Sequence, residues 1–171
     1  MTMQEMTGSC LCGGIRYAVD GPLGPVVHCH CSMCRKATGA AFRTRAAVPT
    51  AAFRWRAGEA LLARFESSPG EERTFCRVCG STLVTLFRDR PDEIGLALGT
   101  LDGDPGVRPW AHVFVGSKAP WYEIEDDLPR FSATAPPPHA FDEIGDDQPV
   151  DSDDEYPPTV TTFMRFTVRP R

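Results

Sequence analysis

The sequence predicts a mainly β domain built from short strands. Three observations carry that expectation. Apolar and polar residues alternate with period two in one short segment after another. Turn-forming clusters separate those segments. Helical periodicity is hard to find over any ten consecutive residues.

Taken in order, GIRYAVDG puts Ile15, Tyr17 and Val19 on one face and stops at a Gly-Pro turn. FRTRAAVP repeats the pattern with Phe42, Thr44, Ala46 and Val48. LLARFES, STLVTLF, EIGLALG and AHVFVGS continue it, and SSPGE, DRPDE and DGDPG are the turns between them. One short helical turn is expected after Ser32, in MCRKATG. There is no internal repeat of solenoid or propeller type.

The chain has 171 residues, of which 42% are hydrophobic, enough for the core of one ordinary domain. No apolar run approaches the roughly 18 residues of a membrane span. The opening MTMQEMTGSC lacks the basic start and the apolar stretch of a secretory signal. A cytoplasmic protein with no membrane partner is expected. Residues 132–171 carry eight acidic and three basic side chains, a net of −5 that equals the formal charge of the whole chain. The first 131 residues therefore balance to zero, with basic residues scattered singly. Such a surface has no electrostatic footprint for nucleic acid.

The character changes near Ser132. Residues 132–158 hold six prolines and eight acids with few large apolar groups, and are expected to be extended or loosely held. Residues 159–171 differ again. Val160, Thr162, Met164, Phe166 and Val168 alternate with polar neighbours. This end is either a strand that docks on a sheet edge, in its own chain or in a homodimer partner, or a frayed tail.

Seven cysteines fall in three clusters: Cys10 and Cys12, then Cys29, Cys31 and Cys34, then Cys76 and Cys79. An odd number cannot all pair, and tight spacings in a reducing compartment point to metal. Zinc suits clustered thiolates. Seven ligands divide as four for a closed structural site and three for a site with an open corner. Cys76 and Cys79, followed by Gly80, form a knuckle that needs a second pair, and Cys10 and Cys12 are the remaining cluster of two. That leaves Cys29, Cys31 and Cys34 as the three-ligand site. On a strand, Cys10 and Cys12 face the same side; Cys29 and Cys31 share a strand face, and the next two residues turn so that Cys34 closes on the same ion. His28 and His30 then point to the opposite face, as packing groups or outer partners of the site. A kink at His30 would instead make it a ligand.

GSCLCGGIRY, VVHCHCSMCRKATGAAF, FRWRAGEALLARFESSPGEERTFCRVCGSTL and PWAHVFVGSKAPWYEI follow one another in order. Together they resemble the glutathione-dependent formaldehyde-activating enzymes (GFA), a family that includes the centromere protein V domain. The resemblance spans about residues 8–131, leaving the acidic segment and the terminal strand outside. It implies a β-tent fold of small, curved antiparallel sheets with few short helices and two zinc ions. It assigns Cys10, Cys12, Cys76 and Cys79 to the structural ion and Cys29, Cys31 and Cys34 to the functional one. It also implies a carbon–sulfur lyase activity, joining formaldehyde and glutathione into S-hydroxymethylglutathione.

Three thiolates and a dication give a site of charge −1, better suited to a soft ligand such as an incoming thiol than to activating water. A bound thiolate beside a small aldehyde adds to give a hemithioacetal. His112 and His30 are the candidates to move the proton, because histidine titrates near neutral pH. Arg35, Lys36 and Arg43 are placed either to meet the carboxylates of a peptide thiol or to solvate the surface. Thr38 and Gly39 lie where the chain turns after Cys34 and could admit backbone contact with a ligand. Trp55, Trp110 and Trp121 read as core or rim residues. The competing reading is a non-catalytic module, a thiol carrier or protein-interaction domain, in which both zincs are structural. The fourth ligand of the three-cysteine site separates the two.

Overall fold

Alternation of side chains dictates two sheets. The computed structural model describes residues 5–135. β1 (Glu5–Ser9), β2 (Arg16–Asp20) and β5 (Phe53–Ala57) form a three-stranded antiparallel sheet in the order β1-β2-β5. The larger sheet uses β3 (Val26–Cys29), β4 (Arg43–Pro49), β6 (Leu62–Ser68), β7 (Glu71–Cys76), β8 (Thr82–Phe87), β9 (Glu93–Ala97) and β10 (Ala111–Val113). Its order is β10-β3-β4-β9-β8-β7-β6, and the pairing of β10 with β3 is its one parallel pair. One helix, α1 (Ser32–Thr38), follows β3. Among the described residues, no helix is long and apolar enough to cross a membrane.

Ile15, Tyr17, Val19, Val26, Val48, Leu83 and Leu96 form the main core. Tyr17 reaches Thr100 Oγ1 at 2.7 Å, which satisfies its buried hydroxyl. A second apolar cluster holds Val27, Ala111 and Val113 together with Cys29, Cys31 and Cys34. The three-cysteine set therefore sits in its own apolar nest, apart from the main core.

The six alternating segments all contain strands. β10 is shorter than AHVFVGS suggests because Phe114 takes φ 57° and breaks the extended run. The strands β1, β5 and β7 were not expected. In EERTFC two adjacent glutamates hide the alternation, although Arg73, Thr74 and Cys76 are buried. Cys10 and Cys31 do not lie on strands: β1 ends at Ser9 and β3 at Cys29. Turn and helix-cap geometry, not a shared strand face, therefore brings each pair together. Residues 136–158 of the expected acidic segment 132–158, and all of 159–171, expected as a docking strand or a frayed tail, lie outside the described residues.

Gly58 is forced by packing. It holds φ 79°, and a Cβ there would stand 2.0 Å from the Gly14 carbonyl oxygen and 2.9 Å from Ile15 Cα. Those are backbone atoms beside a fully buried residue and cannot swing aside. Gly58→Ala is expected to cost about 3 kcal/mol or more. A lower urea midpoint at unchanged slope checks it, and an unshifted midpoint would refute the crowding.

Candidate metal centres

Cys10 follows β1 and opens a tight turn, its carbonyl accepting the Gly13 N–H at 2.8 Å. Cys76 closes β7. Cys79 follows in a knuckle whose Gly80 N–H donates to the Cys76 carbonyl at 2.8 Å, with Gly80 at φ 76° in the left-handed region. The Leu11 N–H donates to Ser81 Oγ at 2.9 Å and pins turn to knuckle. The Cys10 and Cys12 sulfurs lie 3.4 Å apart, and those of Cys12 and Cys76 3.8 Å apart. All four sulfurs, Cys79 included, lie within 4.8 Å of one another. Thiolates around a tetrahedral ion with metal–sulfur bonds of about 2.3 Å stand about 3.8 Å apart, so this set fits such an ion.

Crowded thiols share protons. The Ser81 hydroxyl, then the Ser81 and Cys12 N–H groups, hold Cys79 down to about 5. Against the Gly14 N–H, Cys10 and Cys79 push Cys12 up to about 11. A cation among the four sulfurs removes that conflict by ionising all of them.

The second set lies at the β3–α1 junction. Cys29 ends β3, Cys31 caps α1, and the Cys31 sulfur accepts the Cys34 N–H at 3.3 Å. All three are buried, and their sulfurs lie within 4.8 Å of one another. No His, Asp or Glu ligand atom joins the set among the described residues. Cys34 is held far below the usual thiol range by hydrogen bonds from Cys29 and Cys31, aided by the charges of Arg73 and Arg43. Cys29 is pushed up by the same sharing with Cys31 and Cys34.

His30 and His112 do come together. His30 Nε2 and His112 Nδ1 are 2.8 Å apart, and His112 Nε2 lies 3.0 and 3.1 Å from the two Asp126 oxygens. Both rings are essentially fully buried. Residues 129–131 supply the reason Asp126 arrives there. His112 donates its N–H to the Pro129 carbonyl and Phe131 donates to that of His112, so this strip runs along β10. The Leu128 N–H, then His112, keep Asp126 ionised by lowering its pKa. Burial, then the neighbouring charges, push His30 down to about 4, so its ring is neutral at pH 7. An ionised carboxylate only accepts. His112 Nε2 then donates to Asp126, and its Nδ1 is left facing His30 Nε2. His30 Nδ1 is the outer end of this series. That atom is buried with no hydrogen-bond partner. His28 is separate from this chain of bonds. Its Nδ1 meets Thr44 Oγ1 at 2.8 Å.

Arg35, Lys36, Thr38 and Gly39 all lie on or at the end of α1. Arg35 Nε donates to the His30 carbonyl at 3.2 Å, and the Thr38 hydroxyl donates to the Cys34 carbonyl at 2.9 Å. Gly39 closes the helix with its N–H on the Arg35 carbonyl, and Lys36 is exposed. Arg43 is not a surface group. It is 3% exposed and donates to Thr85 Oγ1, the Leu83 carbonyl and the Gly95 carbonyl. Trp110 is half-buried against the second cluster, while Trp121 is exposed.

Two residues of the site escaped sequence reasoning. Arg73 sits in β7 and points both terminal nitrogens at the Cys34 sulfur, at 3.8 and 3.7 Å. Asp126 lies among Glu123, Glu125 and Asp127 with nothing local to set it apart.

The family model for "Glutathione-dependent formaldehyde-activating enzyme" matches residues 5–117. A Halomonas elongata protein described as "Putative glutathione-dependent formaldehyde-activating enzyme" is 30% identical over 128 residues, covering 70% of this chain and 81% of its own. A crystal structure of a Rhodobacter sphaeroides protein superposes with a TM-score of 0.50 at 27% identity, over 61% of this chain and 92% of its own. Both cysteine sets lie within the matched stretch, and the chain belongs to the glutathione-dependent formaldehyde-activating enzyme family.

Proposed function

We propose that the protein is a zinc-dependent carbon–sulfur lyase. It joins a small thiol and a small aldehyde, glutathione and formaldehyde foremost, into a hemithioacetal, and cleaves the adduct in reverse. On this reading Cys10, Cys12, Cys76 and Cys79 hold a structural zinc. Cys29, Cys31 and Cys34 hold a second zinc with a position left for the thiol. The observation that carries the proposal is the inequality of the two sulfur sets: one has four members, the other three buried ones with no further ligand among the described residues. Family membership and the name of the Halomonas relative support the choice of thiol and aldehyde. Seven free thiols suit a reducing cytoplasm.

When bound, zinc lowers the pKa of an incoming thiol and keeps it as thiolate. In the addition, a carbon–sulfur bond forms, the carbonyl π pair moves onto oxygen, and that oxygen takes up the proton the thiol lost. The histidine pair, His30 and His112, joined at 2.8 Å and anchored on Asp126, is suited to hold this proton in between. Arg35 and Lys36 offer cations to the carboxylates of a peptide thiol, and the backbone at Thr38 and Gly39 continues that face.

Cobalt(II) in place of zinc makes the test visible. Glutathione should alter the sulfur-to-metal bands of the loaded protein. Formaldehyde added next should form S-hydroxymethylglutathione faster than the spontaneous reaction, read by NMR exchange. A spectrum indifferent to glutathione and to other small thiols would defeat the proposal. Binding without acceleration would leave a thiol carrier.

A further inference from the structure

Two guanidinium groups are buried beside the three-cysteine set. Arg73 is 6% exposed and Arg43 3%. Arg73 donates to Ser67 Oγ at 2.9 Å and directs its other two nitrogens at Cys34. Arg43 gives its bonds to a hydroxyl and two carbonyls, and its Nε is buried without a partner. None of these bonds reaches a carboxylate. The register explains their convergence: Arg43 pairs with Cys29 across β3 and β4, Arg73 pairs with Thr85 across β7 and β8, and Arg43 bonds the Thr85 hydroxyl. The two cations also oppose one another. Burial first, and then Arg73, pull Arg43 down to about 10, while Cys34 and Cys29 act to restore it.

Two buried like charges without carboxylates are costly unless an anion answers them. The anions at hand are the thiolates. This changes the charge of the site. Zinc and three sulfurs alone make −1, but the two guanidiniums bring the loaded centre to +1. A neutral fourth ligand leaves that charge buried, whereas an anionic one cancels it.

We infer that Arg73 and Arg43 make the fourth position of the three-cysteine centre selective for an anion, and so for a thiol bound as thiolate. This rests on the reading above that a metal ion with an open position occupies the set. Arg73 is a positioning residue: it acts through Cys34 and through its charge.

The test uses the full chain loaded with cobalt(II), titrated separately with thiocyanate and with imidazole and read by visible absorption. The wild type should bind thiocyanate at least tenfold more tightly than imidazole. Arg73→Met should weaken thiocyanate about tenfold and leave imidazole nearly unchanged, as removal of one nearby charge requires. Arg73→Lys should keep most of the preference. Equal affinity of the wild type for the two probes would overturn the inference without any variant. So would an Arg73→Met protein that loses both probes equally while keeping its cobalt bands. A wild-type spectrum unmoved by both probes would instead remove the open position, and the proposed function with it.

Discussion

Cys76→Ser is expected to abolish cooperative unfolding of the domain. Cys76 is fully buried at the end of β7, and its sulfur lies 3.8 Å from that of Cys12. The four sulfurs tie the turn after β1, in the small sheet, to the knuckle between β7 and β8, in the large one. A structural zinc in such a set contributes about 10–16 kcal/mol of apparent binding free energy at neutral pH. A whole domain of this size is stable by only about 5–15 kcal/mol. Loss of one ligand therefore removes a share comparable with the total. The serine hydroxyl adds an unsatisfied polar group where the structure leaves no access to water. Calorimetry of the variant should show no cooperative transition, and a strong chelator should bring the wild type to the same state. A melting transition within a few degrees of the wild type would contradict the structural role of this set.

Cys34→Ser is expected to act oppositely: the fold persists and the chemistry goes. Bound zinc should fall from two ions per chain towards one. On the proposed function, thiol–aldehyde exchange should drop by about a hundredfold or more, because the centre that would receive the thiol loses a ligand. The main core contains none of Cys29, Cys31 or Cys34, so its packing is untouched. The local cost is real. Arg73 loses the sulfur that both its terminal nitrogens address, and a buried cation without its partner costs about 3 kcal/mol. That lowers the melting temperature without unfolding the domain. Metal analysis, circular dichroism and the exchange rate separate the outcomes. Loss of the folded spectrum would mean that the second set is structural as well. Retained exchange would move the chemistry elsewhere.

The partition of the cysteines was legible because it follows from count and spacing. A C-x-x-C knuckle with its glycine needs two more sulfurs, and Cys10 and Cys12 were the pair left over. Strand faces do not unite the cysteine pairs, since Cys10 lies beyond β1 and Cys31 caps α1, where residues two apart obey no alternation. STLVTLF and EIGLALG announced their strands by period two. FRWRA carries the same signal, with Phe53 and Trp55 alternating with arginines, over only five residues. EERTFC carried none, because the bulge that shifts register between Arg73 and Phe75 breaks the alternation.

By itself, the sequence determined the mainly β class, the two sulfur sets and the inequality between them, because short-range periodicity and ligand spacing are local properties of a chain. Only the tertiary structure decided which charges meet those sulfurs and the histidine pair. Arg73 reaches Cys34 from 39 positions away and Asp126 reaches His112 from 14. Strand register and the strip along β10 bring them there, and electrostatic partnership depends on distance in space, which a charge's place in the sequence does not record.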